Sequence, residues 1–281
     1  MNTYKTQLQN VRIPGVKNII AVASGKGGVG KSTVSVNLAL AFQTLGLKSG
    51  ILDADIYGPS QPLMLGTSKE SPETTDQKSI EPIMKYGLQS MSIGYLVEDQ
   101  TAMIWRGPMA SKALQQILGD TRWKDLDILV VDLPPGTGDI QLTLSQKIPV
   151  TGGVIVTTPQ DLSLLDATRA LKMFEKVGIH LFGIIENMSS FNCPHCHQNT
   201  ALFGEGGAEK MAKENNLEVL AELPLSLFTR QCTDAGKPVV AESPESPESL
   251  AYIELAKKLI AKINQRPKNY ADKFGTIKIE N

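Results

Sequence analysis

Apolar residues in this chain fall into short unbroken runs, separated by stretches in which they recur every three or four positions. Runs at 19–23, 49–55, 88–93, 127–132, 153–157, 181–186 and 217–223 have strand length. Helical spacing occupies 34–45, 107–118, 162–177 and 207–215. In the first of these helices Val34, Leu38, Ala41 and Leu45 share a side, and Gly46 closes it. Pro108 sits in the first turn of the second. A last helix over 249–263 carries Leu250, Ile253, Ala256, Leu259, Ile260 and Ile263 along one side. Residues 66–82 are polar and punctuated by proline, which predicts a mobile loop, and 242–248 predict a turn. Strands alternate with helices, and several strands are apolar at every position. That pattern predicts an α/β fold: one doubly wound domain over 17–264 with a mainly parallel central sheet covered on both faces. A polar lead-in, 1–16, and a tail, 265–281, flank it.

The first strand runs into Ser24-Gly-Lys-Gly-Gly-Val-Gly-Lys-Ser-Thr33, and a helix follows. Gly25, Gly30, Lys31 and Ser32 fit G-x-x-x-x-G-K-[ST]. In such a loop (Gly25, Lys26, Gly27, Gly28, Val29, Gly30, Lys31, Ser32 and Thr33) glycines let backbone N–H groups wrap a polyphosphate, and the helix N-terminus adds partial positive charge. Lys31 reaches the β/γ-phosphates and the Ser32 hydroxyl ligates Mg²⁺. The same residues fit G-x-G-x-x-G through Gly25, Gly27 and Gly30, with Asp53 at the distance of a ribose-binding acid. Lys31, Ser32 and Thr33 have no role in that dinucleotide reading. A further acid closing a strand, Asp132, is needed only by a Mg-nucleotide site.

Asp53 and Asp55 close the second strand beside the glycine loop, where an acid can position Mg²⁺ or an attacking water. Asp132 closes an apolar strand before Pro134-Pro135-Gly136 and is similar to the acid that holds Mg²⁺ through water in phosphate-loop enzymes. Solvated turn acids are the bland alternative for Asp53 and Asp55; a carboxylate closing a buried strand needs a partner.

The composition changes the picture mainly by exclusion. The 281 residues are 41% hydrophobic and 20% charged with net charge −1, so no overall basic field points to nucleic acid. No apolar run approaches the roughly 20 residues of a membrane span. The N-terminus is polar, without the apolar core of a secretory signal. Three cysteines argue against a disulfide framework and for a reducing compartment, the cytoplasm. Two of them form Cys193-Pro-His-Cys196. Such a pair can share a metal centre, act in redox chemistry or be a plain surface turn. One chain lacks an obvious further pair of ligands: His195 lies between the cysteines and should point away, and His197 follows them. Two chains meeting at a two-fold axis supply four thiolates. Cys232 stands alone and reads as a buried thiol, and His180 has no assigned role.

With Gly25–Thr33, Leu52-Asp-Ala-Asp-Ile-Tyr-Gly-Pro-Ser60, Asp132-Leu-Pro-Pro-Gly-Thr-Gly-Asp139, Glu186-Asn-Met188 and Cys193-Pro-His-Cys196, the chain resembles the Mrp/ApbC iron–sulfur cluster carrier ATPases, within the MinD/ParA-type deviant Walker A class of phosphate-loop NTPases. The likeness covers about residues 12–264. It implies a homodimer with two ATP sites and one bridging [4Fe–4S] cluster, transferred from a cluster donor to recipient apoproteins alongside slow ATP hydrolysis. By this resemblance Lys26 reaches the partner subunit's nucleotide, Lys31 and Ser32 hold phosphate and Mg²⁺, and Asp55 is the switch acid near the attacking water. Asp132 is the Mg²⁺-side acid, Asn187 lies near the adenine, and Cys193 and Cys196 ligate the cluster. Many bacterial relatives carry an extra small N-terminal domain where this chain has a polar lead-in of sixteen residues, and glycine commonly stands where it has His197. A competing reading is a positioning ATPase cycling on a membrane or nucleoid surface, but it has no use for Cys193 and Cys196. Few lysines flank the helix over 249–263, so packing on the sheet is the simpler role for it, and no stable membrane association is expected. A third reading is a dimer stapled by zinc.

Overall fold

The computed structural model describes residues 13–265, apart from 75, 77, 97–106, 139, 140, 143, 144, 146, 147 and 197. Most of the polar lead-in, the tail from 266, Asp139 and His197 therefore lie outside the described residues. In order, the strands are β1 (Val16–Ala23), β2 (Ser49–Asp53), β3 (Ile83–Lys85), β4 (Leu88–Ser92), β5 (Leu126–Asp132), β6 (Gly152–Thr157), β7 (Leu181–Asn192), β8 (Asn199–Thr200) and β9 (Val219–Leu225). They form one sheet in the order β3-β4-β2-β5-β1-β6-β7-β8, with β9 also on β7. Pairing is antiparallel only for β3 with β4 and β7 with β8.

Successive side chains on a strand point to opposite faces, and both faces here are covered. Ile19, Ala21 and Ala23 of β1 join one core with α3 (Gly107–Asp120), α4 (Asp161–Lys176) and α5 (Gly207–Glu214). Ile20 and Val22 join the other, with α1 (Lys31–Thr44), α7 (Val239–Glu242) and α8 (Pro247–Gln265). Two covered faces explain why the central strands β1, β5 and β6 are mostly apolar, and they establish the doubly wound, mainly parallel sheet.

Helix α1 lies between the sheet and α8. It is therefore buried beyond the single stripe expected: Val36, Ala39, Leu40 and Phe42 are as enclosed as Val34 and Leu38. Tyr252, Leu255, Ala256 and Leu259 of α8 are buried against this layer and Ile253, Ile260 and Ile263 are partly buried on it, whereas Leu250 of the expected apolar side is exposed. Among the described residues no helix is long and apolar enough to cross a membrane.

Several expectations change in detail. Strand β2 stops at Asp53, because the Asp53 carboxylate accepts the N–H of Asp55 and turns the chain. The region 66–82 is anchored: Ile80 bridges both Thr74 and Thr121, and Arg122 pairs with Asp76 at 2.7 Å. Strand β3 is the unforeseen half of a tight hairpin, whose turn residues Tyr86 and Gly87 have φ of 51° and 75°. Helices α2 (Gln61–Met64) and α6 (Leu227–Asp234) were also unforeseen; Ser226 caps α6 by accepting from Thr229 N–H. Strand β7 runs six residues past its expected end at 186, to Asn192, by gaining β8 and β9 as partners.

The double enclosure of α1 gives a direct test. Phe42 is fully buried. Phe42→Ala should lower unfolding free energy by about 3–5 kcal/mol, read as a reduced denaturant midpoint with little change in slope. A loss below about 1 kcal/mol would contradict this packing.

Candidate functional site

The carboxyl ends of β1, β2 and β5 meet side by side, with Val22 opposite Asp132 and Asp132 opposite Asp53. Both carboxylates are fully buried. One cation reaches them: Lys31 Nζ lies 2.5 Å from Asp132 Oδ1 and is itself 6% exposed. A buried ion pair is tolerable only if its remaining polar atoms are satisfied. Ser35, one helical turn after Lys31, donates from Oγ to the same Asp132 oxygen at 2.9 Å. Gln61 Nε2 donates to the other oxygen at 2.9 Å.

Among the described residues Asp53 has no cation of its own. It accepts from the backbone N–H groups of Asp55, Ser60 and Gln61 and from Ser92 Oγ, at 2.9–3.1 Å. Burial, and then the charge of Asp132, push its carboxyl up to about 7. It is therefore the anchor of the loop bearing Asp55. Burial also raises the Asp55 carboxyl, which opens on the cleft and accepts from Gly58 N–H at 3.3 Å.

The glycine loop borders that cleft, a cavity of about 260 Å³ lined by loop residues including Lys26, Lys31, Ser32 and Thr33, with Asp55, Ser60 and Pro135 opposite. Gly30 is the N-cap of α1 with φ 81°, and no side chain caps the helix. The first-turn N–H groups of α1 are thus available to an anion. Two glycines are demanded by close approach. A Cβ on Gly25 would collide with the backbone of Asp166 in α4. One on Gly30 would collide with the amide of Asn187, besides requiring a left-handed backbone. Asn187 Nδ2 donates to Val29 O at 2.8 Å, so this side chain supports the loop from beneath. Lys26 is exposed at the mouth of the cleft. Glu186, which precedes Asn187 on β7, is structural: it accepts the N–H of Ala208 at the start of α5, and burial raises its carboxyl.

The structure thus places Lys26–Gly28, Gly30–Thr33 and Asp55 on one cleft, with Asp132 buried behind Lys31 and Asn187 under the loop. Ser35 and Gln61 were missed from sequence. Ser35 had a signal, a hydroxyl four residues after Lys31 on the same helix face. Gln61 had none, because the turn that brings it back to β5 is set by Asp53.

Cys193 and Cys196 occupy the turn joining β7 to β8, closed by Cys193 N–H donating to Gln198 O at 3.1 Å. Cys196 is exposed and Cys193 half-buried. Backbone N–H groups of Cys196 and then His195, with the Cys196 side chain, hold the Cys193 thiol below its usual range. This favours thiolate, the form that binds metal. The exposed His195 thus contributes its backbone. Among the described residues no three metal-binding side chains cluster. Cys232 is buried, as expected of an inert thiol, and its pKa is raised by that burial. His180 meets Phe182 edge-on, ring centroids 5.4 Å apart.

Residues 15–260 match the ParA family described as NUBPL iron-transfer P-loop NTPase. The chain is 57% identical over 257 residues to the iron-sulfur cluster carrier protein of Haemophilus influenzae, covering 92% of this chain and 70% of that one. It is 46% identical over 258 residues to the iron-sulfur cluster transfer protein NUBPL of Dictyostelium discoideum, covering 92% and 80%. A nucleotide-binding protein from Archaeoglobus fulgidus, solved in complex with ADP, superposes with TM-score 0.73 at 37% identity, over 85% of this chain and 93% of that one. The Pyrococcus furiosus cell division ATPase MinD superposes with TM-score 0.64 at 23% identity over 87% and 99%, a likeness of fold.

Asp53 binds its proton more tightly folded, at about 7, than unfolded, near 3.8. Its stabilising contribution is complete below the ordinary carboxylate value and is lost as pH rises through about 7. Wild-type stability to denaturant should therefore carry a declining component between about pH 4 and about pH 7, and Asp53→Asn should flatten it. A variant whose pH profile parallels wild type would refute this role.

Proposed function

Because the chain belongs to the ParA/NUBPL family of iron-transfer P-loop NTPases, we propose that it is an ATP-dependent iron–sulfur cluster carrier. In this reading it hydrolyses Mg-ATP slowly, holds a [4Fe–4S] cluster between two subunits and delivers it to recipient apoproteins. The carrying observation is that the glycine-loop cleft and the exposed Cys193–Cys196 turn lie at the same, carboxyl edge of one sheet. A nucleotide-driven movement of one subunit against another would be felt at both.

Polyphosphate enters against the α1 N-terminus, and Lys31 exchanges Asp132 for the β/γ-phosphates. Ser32 and, through water, Asp132 fit a hard cation: one offers a hydroxyl beside Lys31, the other a fixed carboxylate. Mg²⁺ held there supplies charge neutralisation on the phosphates. Asp55 orients the attacking water, and Lys26 reaches across the dimer to the partner's nucleotide. Asn187 keeps the loop in shape from below and borders the adenine side.

The cluster is cargo. Each chain offers one thiolate pair in an accessible turn, and a [4Fe–4S] cluster takes about four. A two-fold axis brings the second pair. Accessibility suits release, so the bound cluster is oxygen-labile. ATP changes cluster affinity to the extent that nucleotide states hold the two subunits differently.

Lys31→Ala removes the phosphate ligand and leaves Asp132 without its cation. Hydrolysis should fall by about 100-fold or more, measured as phosphate release. Unchanged hydrolysis would sink the site assignment. After anaerobic reconstitution, wild type should hold about four irons and about four sulfides per dimer. Cys193→Ala or Cys196→Ala should lose them while still binding ATP, and Cys232→Ala should retain them. A full cluster on a monomer, or one dependent on Cys232, would overturn the bridge.

A further inference from the structure

The loop that carries Asp55 begins and ends on the Asp53 carboxylate, and its last held residue is Gln61. Gln61 opens α2 and is fully buried. Its side chain turns away from α2 toward the glycine loop. Nε2 donates to the backbone carbonyl of Ser32 at 3.1 Å and to Asp132 Oδ2 at 2.9 Å. The two oxygens of Asp132 are thus divided: Lys31 and Ser35 hold Oδ1, and Gln61 holds Oδ2.

A buried helix start can be filled by leucine or methionine without any polar cost. Here an amide is buried instead, and among the described residues its Oε1 finds no partner; nor does the buried hydroxyl of the adjacent Ser60, which borders the cleft. Unpaired buried polar atoms are costly and call for a reason beyond packing. The residues the amide touches suggest one, since they are the two assigned to the metal side of the nucleotide site.

Resting on the ATP-site reading above, we infer that Gln61 is a positioning residue for Mg²⁺-dependent nucleotide binding. When Lys31 turns from Asp132 to the phosphates, Oδ1 gives up its cation. Ser35 and Gln61 then keep the carboxylate from following Lys31 or rotating away. An amide suits this task because it donates without adding a positive charge that would repel the metal. One nitrogen bound to both Ser32 and Asp132 also fixes their spacing. Through its backbone N–H on Asp53, Gln61 links that spacing to the loop of Asp55.

The test is equilibrium binding of an N-methylanthraniloyl ATP to the full chain, with Mg²⁺ and with EDTA, for wild type, Gln61→Met and Gln61→Asn. Methionine keeps the length without the donor; asparagine keeps the amide but is too short to span Ser32 and Asp132. Thermal unfolding confirms that each variant is folded, and either one suffices. Affinity in EDTA should stay within about threefold of wild type, while the gain conferred by Mg²⁺ shrinks by about tenfold or more. A variant with the wild-type Mg²⁺ gain, or with equal losses in both conditions, shows a packing role only and overturns the inference. A wild type that shows no Mg²⁺-dependent binding, or a Lys31→Ala variant that binds as wild type does, overturns the ATP-site reading and this inference with it.

Discussion

Two carboxylates, Asp53 and Asp132, stand side by side in the dry interior with, among the described residues, one lysine, Lys31 on Asp132, to neutralise them. The surrounding site is arranged by this constraint. Asp132 takes Lys31, Ser35 and Gln61; Asp53, lacking a cation, takes three backbone N–H groups and a serine hydroxyl. The turn after β2, the start of α2 and the first turn of α1 all follow from where those donors must stand. Breaking one side of such a pair strands a buried charge, which is why its lysine can leave only for another anion.

That requirement gives the phosphate-binding chemistry a physical basis. A lysine held at 2.5 Å by a buried carboxylate is oriented in advance and needs little rearrangement to meet a phosphate. The glycine loop is fixed from two sides, by the α4 backbone at Gly25 and by Asn187 at Val29 and Gly30. A loop so confined holds its shape without using its own N–H groups, which leaves them for the ligand.

The cysteine turn obeys the opposite logic. Strand β7 carries the chain past the sheet edge and closes it with two-residue β8, so Cys196 is exposed and Cys193 half-buried on a short hairpin. Enclosure protects a charge pair, whereas the cysteine turn leaves Cys196 accessible. A single fold provides both because parallel strands end at one edge, and β7, accompanied by β9, continues beyond it.

From residues alone, the alternation of runs and helical spacing determined the layered α/β architecture, since covered strands must be apolar on both faces. Glycine spacing with Lys31 and Ser32 determined a phosphate loop, because that chemistry is local to ten residues. Cys193 and Cys196 were likewise legible as a pair, and Asp53 and Asp132 as strand-end acids. The rest depended on contacts between positions far apart in sequence. Whether α1 has one buried side or is enclosed all round depends on α8, more than 200 positions later. That Asn187 supports Val29, and that Gln61 and Ser35 share Asp132, follows from strand order and register, which place β5 between β1 and β2. Periodicity reports which side of an element is buried. Only the closed sheet decides which buried polar atoms must satisfy one another.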